Sequence, residues 1–224
     1  STADVLPRTV ALLNATTSAL PLDGSYPEAC RYLSREDPVL RDLLTRVGPC
    51  RLTPRREYFA TLCDSIISQQ VSVVVAEVIF DRFAALYPRR RPTPSAVAAT
   101  PLRRLRAVGL SKQKIRYLRD LAAGFLDGRI QPRRFPRQSN EEIIVALDSI
   151  HGIGRWTAEM FLMFSLNRLD VLPVDDLGIR KAMQRWYRLR RLPSADTMRR
   201  IGRRWHPYET IAAWYLWQSL RLPR

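Results

Sequence analysis

The sequence predicts an all-α protein of roughly ten short helices. Apolar residues recur at helical spacing along most of the chain, and prolines fall mostly between the periodic stretches. No run of alternating β-branched residues stands beside a tight-turn dipeptide, so strands are not predicted. With 46% hydrophobic residues among 224, the chain can bury a core, which argues against a disordered protein and suits one or two compact domains.

The predicted helices begin with residues 58–67, where apolar side chains at 58, 59, 62, 66 and 67 share one face. A second stretch, 71–86, opens with the valine-rich segment VSVVV, which favours a strand by local propensity. Because that segment lies inside a longer helical pattern, a helix is predicted there too.

Helix start signals mark the central part of the chain. Ser111 is the predicted N-cap of a helix over 111–126, and Ser139, followed by two glutamates, predicts a helix that ends near residue 148. Further helices are predicted over 155–166 and 176–187, and an amphipathic one over 208–220.

The charge balance predicts a polyanionic partner. Lys and Arg number 37 against 21 Asp and Glu, a net charge of +16, and residues 89–119 hold ten basic side chains and no acidic one. Nucleic acid is favoured over a basic surface that serves only solubility. A membrane is disfavoured, because the longest nearly apolar run, 71–80, is far shorter than the ~20 residues that a spanning helix needs.

Cysteine usage indicates a reducing compartment. The three cysteines, at 30, 50 and 63, are sparse and never spaced C-x-x-C, which disfavours a disulfide framework and a four-cysteine zinc or iron–sulfur site. Residues 1–20 lack the pattern of a secretory signal. We therefore expect a cytoplasmic protein, associated with the nucleoid if its source is bacterial.

Residues 150–158, IHGIGRWTA, form the most informative segment. A predicted helix ends just before it, Gly152 and Gly154 allow a tight turn and can supply positive φ, and another helix starts at once. Backbone N–H groups of such a turn can point together at a phosphate. An ordinary helix–turn–helix connection has the same local pattern. The two glycines between hydrophobic residues, in so basic a chain, favour the phosphate site.

A second candidate segment is LPVDDL, residues 172–177, which leads into a predicted helix. Taken alone, an aspartate at a helix start is best explained as an N-cap. Because the segment follows the hairpin by some twenty residues, the aspartate is also a candidate functional residue.

In order, these segments resemble the helix-hairpin-helix (HhH-GPD) DNA glycosylase superfamily. GIGRWTAEM at 152–160 followed by LPVDDL looks like the branch of 3-methyladenine DNA glycosylase II, the AlkA type. Three further segments agree: IISQQVS at 66–72, VGLSKQK at 108–114, and RWHP at 204–207 with Trp217 beyond it. The resemblance covers residues 58–217 and implies a compact form without the N-terminal α/β domain of longer members.

The resemblance implies a monofunctional hydrolase that cuts the N-glycosidic bond of alkylated bases, such as 3-methyladenine and 7-methylguanine, flipped from double-stranded DNA. It places the catalytic carboxylate at Asp176, where it would stabilise an oxocarbenium-like transition state. Relatives with lyase activity carry a lysine just after the hairpin, where this chain has Trp156, so the abasic site is expected to stay uncut.

The resemblance also assigns a base pocket to Trp156, Met160 and Trp217. Indoles suit a cationic base by stacking and cation–π attraction, although tryptophans at helical spacing are more often core residues. Met160 stands where the family commonly has an aromatic residue, which implies a wider and softer pocket.

DNA contacts are implied for residues of two turns: Gln69, Gln70, Gly152, Gly154 and Thr157. Gln70 matches the side chain that fills the gap left by the flipped nucleotide, and an exposed helix-end glutamine is almost as good an explanation. The two glycines and Thr157 would bind the DNA backbone through their amides. The family frequently has a proline where this chain has His151. A role within the turn is favoured for His151 over a phosphate contact.

No cofactor is expected for hydrolysis, and the cysteine count excludes an iron–sulfur cluster. The resemblance further implies a structural monovalent or divalent cation held by hairpin carbonyls, with those of Asp148, Ile150 and Ile153 as the candidate ligands. The implied fold has two helical subdomains with a substrate cleft between them, 53–167 and 1–52 plus 168–224, in a monomer.

Three alternatives stay open at this point. A non-catalytic helix-hairpin-helix DNA-binding module needs neither Asp176 nor the pocket tryptophans. A glycosylase for oxidised or mispaired bases needs the hairpin lysine or the iron–sulfur cluster. A basic RNA-associated scaffold would be indifferent to base damage.

Overall fold

The computed structural model describes residues 25–223. Within this range twelve α-helices and three short 3-10 helices form the regular structure, and the described residues contain no strand. The all-α prediction is confirmed. The part of the predicted second subdomain that falls on residues 1–24 lies outside the described residues.

The chain forms two compact units. The contiguous unit is Arg55–Phe161, and the second unit combines the described residues up to Pro54 with those from Leu162 onward. The sequence-based boundaries were set at 53 and 167. In the structure the second boundary falls inside the helix that follows the hairpin.

The contiguous unit is built from seven helices and two 3-10 turns. They are α3 (Tyr58–Ile67), α4 (Val73–Ala84), the 3-10 turn Pro88–Arg90, α5 (Pro94–Ala99), α6 (Leu102–Ala107), α7 (Lys112–Leu126), the 3-10 turn Pro132–Arg137, α8 (Asn140–Asp148) and the first turns of α9 (Arg155–Phe164). An edge-to-face aromatic cluster of Tyr58, Phe135 and Phe161 lies in its core.

The predicted helix starts in this unit are confirmed. The Ser111 hydroxyl accepts a hydrogen bond from the backbone N–H of Lys114 at 3.2 Å. Ser139 and Glu142 form a reciprocal capping box. The valine-rich segment is helical as predicted, with Ser72 as the N-cap of α4.

The second unit is built around a helix that is buried along most of its length. Its elements are α1 (Ser25–Glu36), α2 (Pro38–Val47), α10 (Leu177–Trp186), α11 (Ala195–Gly202), the 3-10 turn Arg203–Trp205 and α12 (Glu209–Ser219). Every residue of α12 from Thr210 to Trp217 is buried. The prediction of an amphipathic C-terminal helix was wrong, because α1, α2 and α10 all pack against α12 and leave it no solvent face.

A buried carboxylate holds this unit together. Asp37, which is fully buried, caps α2 through the backbone N–H of Val39 at 2.9 Å. Its second oxygen accepts hydrogen bonds from the Tyr187 hydroxyl at 2.7 Å and from Trp205 Nε1 at 2.9 Å. These donors replace the water that a buried charge would otherwise need.

No helix in the described range is long and apolar enough to cross a membrane.

Candidate active site

The predicted hairpin joins α8 to α9. The Ile153 N–H donates to the Ile150 carbonyl at 3.0 Å and closes a tight turn. Both isoleucine side chains are almost completely buried, so they anchor the turn. The first helical turn of α9 follows directly and contains Thr157, whose side chain is also buried.

The two hairpin glycines serve different purposes. Gly152 has a φ of +85°, and a Cβ atom there would overlap the ring of Tyr117, so both its conformation and the close packing require glycine. Gly154 has no positive φ, and a Cβ atom there would have no neighbour within 4 Å. Its backbone is exposed and open to the approach of a ligand.

An ion-pair network links the start of α9 to α8 beside the hairpin. The Arg155 guanidinium donates to both carboxylate oxygens of Glu141, at 2.9 and 2.7 Å, and its Nε lies 3.4 Å from the buried Glu159. Hydrogen bonding to Glu141 raises the pKa of Arg155. This arginine, which the sequence places at a helix start beside the hairpin, is therefore engaged by carboxylates of α8 and α9.

A second carboxylate holds the tip of the hairpin. Asp120 on α7 accepts from the backbone N–H of His151 at 2.8 Å, and the His151 ring Nδ1 lies 2.6 Å from the same oxygen. Arg129 donates to the other oxygen at 2.9 Å. Burial raises the pKa of Asp120, but the bonds from His151 and Arg129 together outweigh it and lower that pKa to about 2. His151 thus has a role within the turn, the explanation that the sequence favoured.

The turn after α3 is tied to the hairpin. The Gln69 side-chain amide donates to the carbonyl of Gly152 at 2.6 Å, and Lys114 Nζ donates to the carbonyl of Ile67 at 2.6 Å. Gln70 follows with a φ of +56° and an exposed side chain. A non-glycine residue in this left-handed region is uncommon and indicates a constrained turn.

Asp176 lies at the start of α10 and is 5% exposed. Its Oδ1 accepts the backbone N–H of Ile179 at 2.8 Å, so the ordinary N-cap role is present. The same oxygen accepts Trp217 Nε1 at 2.9 Å, a bond that an N-cap does not require. Its neighbour Asp175 is exposed. The structure thus brings two predicted site residues, Asp176 and Trp217, into direct contact.

Two further residues complete this carboxylate–indole pair. The Trp217 ring, which is fully buried, packs against Phe164 with ring centroids 5.7 Å apart. A Cβ atom at Gly178 would lie 3.0 Å from Asp176 Oδ1 and 3.3 Å from Trp217 Cδ1, so glycine leaves the space that the pair occupies. Sequence reasoning missed both residues. The one available signal was a glycine in the first turn of a helix, where it lowers helix propensity.

The other predicted pocket residues lie on α9, in line with the hairpin. Trp156 is half-buried and Met160 is 2% exposed. Four positions apart on one helix, they share a face. In the described range no group of three or more His, Cys, Asp or Glu residues could hold a metal ion.

Comparison with known proteins decides the family. The model of the HhH-GPD superfamily of base excision DNA repair proteins matches residues 63–207, which is more than half of the chain. The matched range includes the hairpin and Asp176. The chain belongs to the HhH-GPD superfamily.

Individual HhH-GPD relatives match over most of their length. DNA-3-methyladenine glycosylase 1 of Schizosaccharomyces pombe is 37% identical over 203 residues, covering 88% of this chain and 89% of the relative. The alkylbase DNA glycosidase-like protein mag2 of the same yeast is 32% identical over 207 residues, with 90% and 97% covered. The solved structure of the S. pombe 3-methyladenine DNA glycosylase Mag1 with abasic DNA superposes with a TM-score of 0.75 at 36% identity, covering 87% of this chain and 97% of that one.

Proposed function

We propose that this protein is a monofunctional DNA glycosylase. It hydrolyses the N-glycosidic bond of alkylated bases, such as 3-methyladenine and 7-methylguanine, flipped from duplex DNA, and so starts base excision repair. The observation that carries this proposal is the buried Asp176 carboxylate, which the Trp217 indole and a backbone amide hold through one oxygen. The names of its relatives, 3-methyladenine DNA glycosylases, support it.

The geometry of Asp176 suits charge stabilisation. As the bond between sugar and base breaks, positive charge develops on the sugar, and a carboxylate already oriented by two donors stabilises it without reorganising. The same group orients the attacking water and accepts its proton. An alkylated purine is cationic before cleavage and departs neutral, so the reaction requires no strong general acid.

The base pocket is assigned to Trp156, Met160 and Trp217. An indole binds a cationic base by stacking and cation–π attraction, and the thioether of Met160 offers a polarisable surface in place of a rigid ring. Trp156 also occupies the position where lyase-active relatives carry their lysine. A Schiff base requires an amine, so the abasic site remains uncut.

DNA binding is assigned to the hairpin and to the turn tied to it. The backbone amides of Gly152, Gly154 and Thr157 bind phosphate oxygens, and Gln70 fills the gap left by the flipped nucleotide. Gln69 supports that role, since its amide bonds the hairpin carbonyl of Gly152 at 2.6 Å. We propose a monomer as the active form.

No cofactor takes part in this reaction. The carbonyls of Asp148, Ile150 and Ile153 are proposed to hold a monovalent or divalent cation that stabilises the turn. The Ile150 carbonyl accepts the N–H of Ile153 at 3.0 Å and keeps a second lone pair for such a ligand. A rise in Tm in potassium or magnesium chloride over choline chloride at equal ionic strength would support the site, and equal Tm values would contradict it.

We place the protein in a reducing cytoplasm, beside the nucleoid if its source is bacterial. The support for this is that the three cysteines are free thiols, the form that a reducing compartment maintains.

The test compares the wild-type protein with Asp176→Asn and, as matched control, Asp175→Asn. Each is incubated with randomly methylated duplex DNA, and released bases are identified by mass spectrometry. Asparagine can still cap the helix, so Asp176→Asn should fold while its release rate falls by at least about 100-fold. Asp175 is exposed, and its variant should release bases at the wild-type rate.

Two results would overturn the proposal. A wild-type protein that binds the duplex yet releases no base would be a non-catalytic helix-hairpin-helix module. Equal rates for wild type and Asp176→Asn would place the catalyst elsewhere.

A further inference from the structure

The side-chain cations nearest the hairpin are engaged by carboxylates. Arg155 is paired with Glu141 and Glu159, and Arg129 with Asp120. The hairpin can therefore offer a phosphate its backbone N–H groups, whereas these side chains are already paired with carboxylates of the protein. Backbone amides are neutral, so they release few counterions from DNA.

A cluster of unpaired cations lies on α6 and the first half of α7, and we call it the α7 basic patch. Its members are exposed, and none forms an ion pair with any residue in the described range. They are Arg103, Arg104, Arg106, Lys112 and Arg116. The chain has no acidic residue between Asp81 and Asp120, so nothing in this stretch of sequence offsets their charge.

The patch borders the hairpin through Tyr117. Gly152 packs so closely on the Tyr117 ring that a Cβ atom would overlap it. The Arg116 guanidinium lies 5.5 Å from the centroid of the same ring, and Gln113 donates to the Tyr117 hydroxyl at 2.6 Å. The cations of α7 thus continue the surface that the hairpin begins.

One cation of α7, Lys114, lies between Lys112 and Arg116 in sequence and is directed into the protein. Lys114 Nζ donates to the Ile67 carbonyl, and burial lowers its pKa. Lys112 and Arg116, in contrast, are exposed and one helical turn apart, about 6 Å along the axis. Of the two, Arg116 is the one that contacts the Tyr117 ring.

We propose that the first half of α7 is a second contact surface for the phosphodiester backbone of duplex DNA, with Lys112 and Arg116 as its charged contacts. In this arrangement the hairpin amides fix register, and α7 supplies the charge that hairpin side chains do not. The proposal rests on the proposed function only in taking duplex DNA as the partner.

The experiment measures the affinity for undamaged duplex DNA as a function of salt. Each phosphate neutralised on B-DNA contributes about 0.9 to the slope of log affinity against log salt. The double variant Lys112→Gln/Arg116→Gln should therefore lower the slope by about 1.8. Between 50 and 200 mM salt the wild type would lose about twelvefold more affinity than this variant. The double variant Lys112→Arg/Arg116→Lys, which exchanges the two residue types and keeps both positive charges, should keep the wild-type slope.

The matched control is Arg133→Gln/Arg137→Gln, which removes the same charge from two exposed arginines without ion pairs in the described range. An unchanged slope in the control, with a reduced slope in the α7 variant, supports the proposal. An equal reduction in both would show only the general field of a basic protein, and an unchanged slope in the α7 variant would refute the contact. The duplex carries no lesion, so the slope is read whether or not the protein releases bases, and either proposal can fail alone.

Discussion

Replacing Trp217 with phenylalanine removes one N–H group and leaves an aromatic ring against Phe164. In the structure that N–H donates to Asp176 Oδ1 at 2.9 Å, and the indole is completely buried. The variant therefore tests whether Trp217 increases the rate of base release by positioning the Asp176 carboxylate.

The size of the effect follows from the bond that is lost. A hydrogen bond to a charged group contributes about 1.5–3 kcal/mol. At 1.36 kcal/mol for each factor of ten in rate, full loss of that support slows base release by about 10- to 150-fold. The Ile179 amide still donates to the same oxygen, so the carboxylate stays near its site and the rate should not fall to that of Asp176→Asn.

The assay is single-turnover release of 3-methyladenine from a defined duplex at saturating enzyme. Trp205→Phe is a matched control, because Trp205 is equally buried in the same unit and its Nε1 donates to a buried carboxylate, Asp37, at 2.9 Å. Both variants should lose about 1.5–3 kcal/mol of stability in urea titrations. Only Trp217→Phe should lose rate.

A double variant sharpens the result. Once Asp176 is asparagine, Trp217→Phe should cause little further loss, because the two groups act as one unit. Equal rate losses for Trp217→Phe and Trp205→Phe would refute the reasoning. So would a Trp217→Phe protein with normal rate and weakened binding of the damaged duplex, since that result would make Trp217 a stacking surface alone.

Three other substitutions test the surrounding structure. Gly178→Ala should slow base release several-fold, since its Cβ would press on the carboxylate at 3.0 Å; a normal rate would contradict this. Gln69→Ala should weaken binding to a duplex with an abasic site more than to an intact one, because its bond to the hairpin is lost; an equal change would argue against it. The pKa of Asp120 is lowered to about 2, so its bonds with His151 and Arg129 stabilise the fold above pH about 4 and cease to do so as pH falls through about 2. In Asp120→Asn, the free energy of unfolding from urea titrations should therefore fall less than that of the wild type between these two pH values.

The fold class and several helix starts could be predicted from the sequence because they depend on local chemistry. Ser111 and Ser139 cap helices through bonds to residues three positions away, which a linear pattern contains. The burial of α12 could not be predicted in this way. Its surroundings come from helices far away in the chain, and an apolar stretch gives no indication of how many of its sides are covered.

The hairpin shows the same division. Its two glycines are close in sequence and predicted a tight turn with positive φ, which the structure has at Gly152 and not at Gly154. Asp120, which bonds His151 from 31 positions away, was not predicted. The sequence gives Arg155 no partner, and only the structure pairs it with Glu141.

The sequence by itself determined the all-α class, the basic character, the hairpin and the candidate Asp176, since each is written in residue types or short spacings. Only the tertiary structure decided which partners those residues have: the Trp217 indole on Asp176, the space left by Gly178, and the unpaired cations of α7 beside the hairpin. The physical reason is that hydrogen bonding, burial and charge neutralisation depend on distances between residues far apart in the chain. The order of the residues does not contain those distances until the chain has folded.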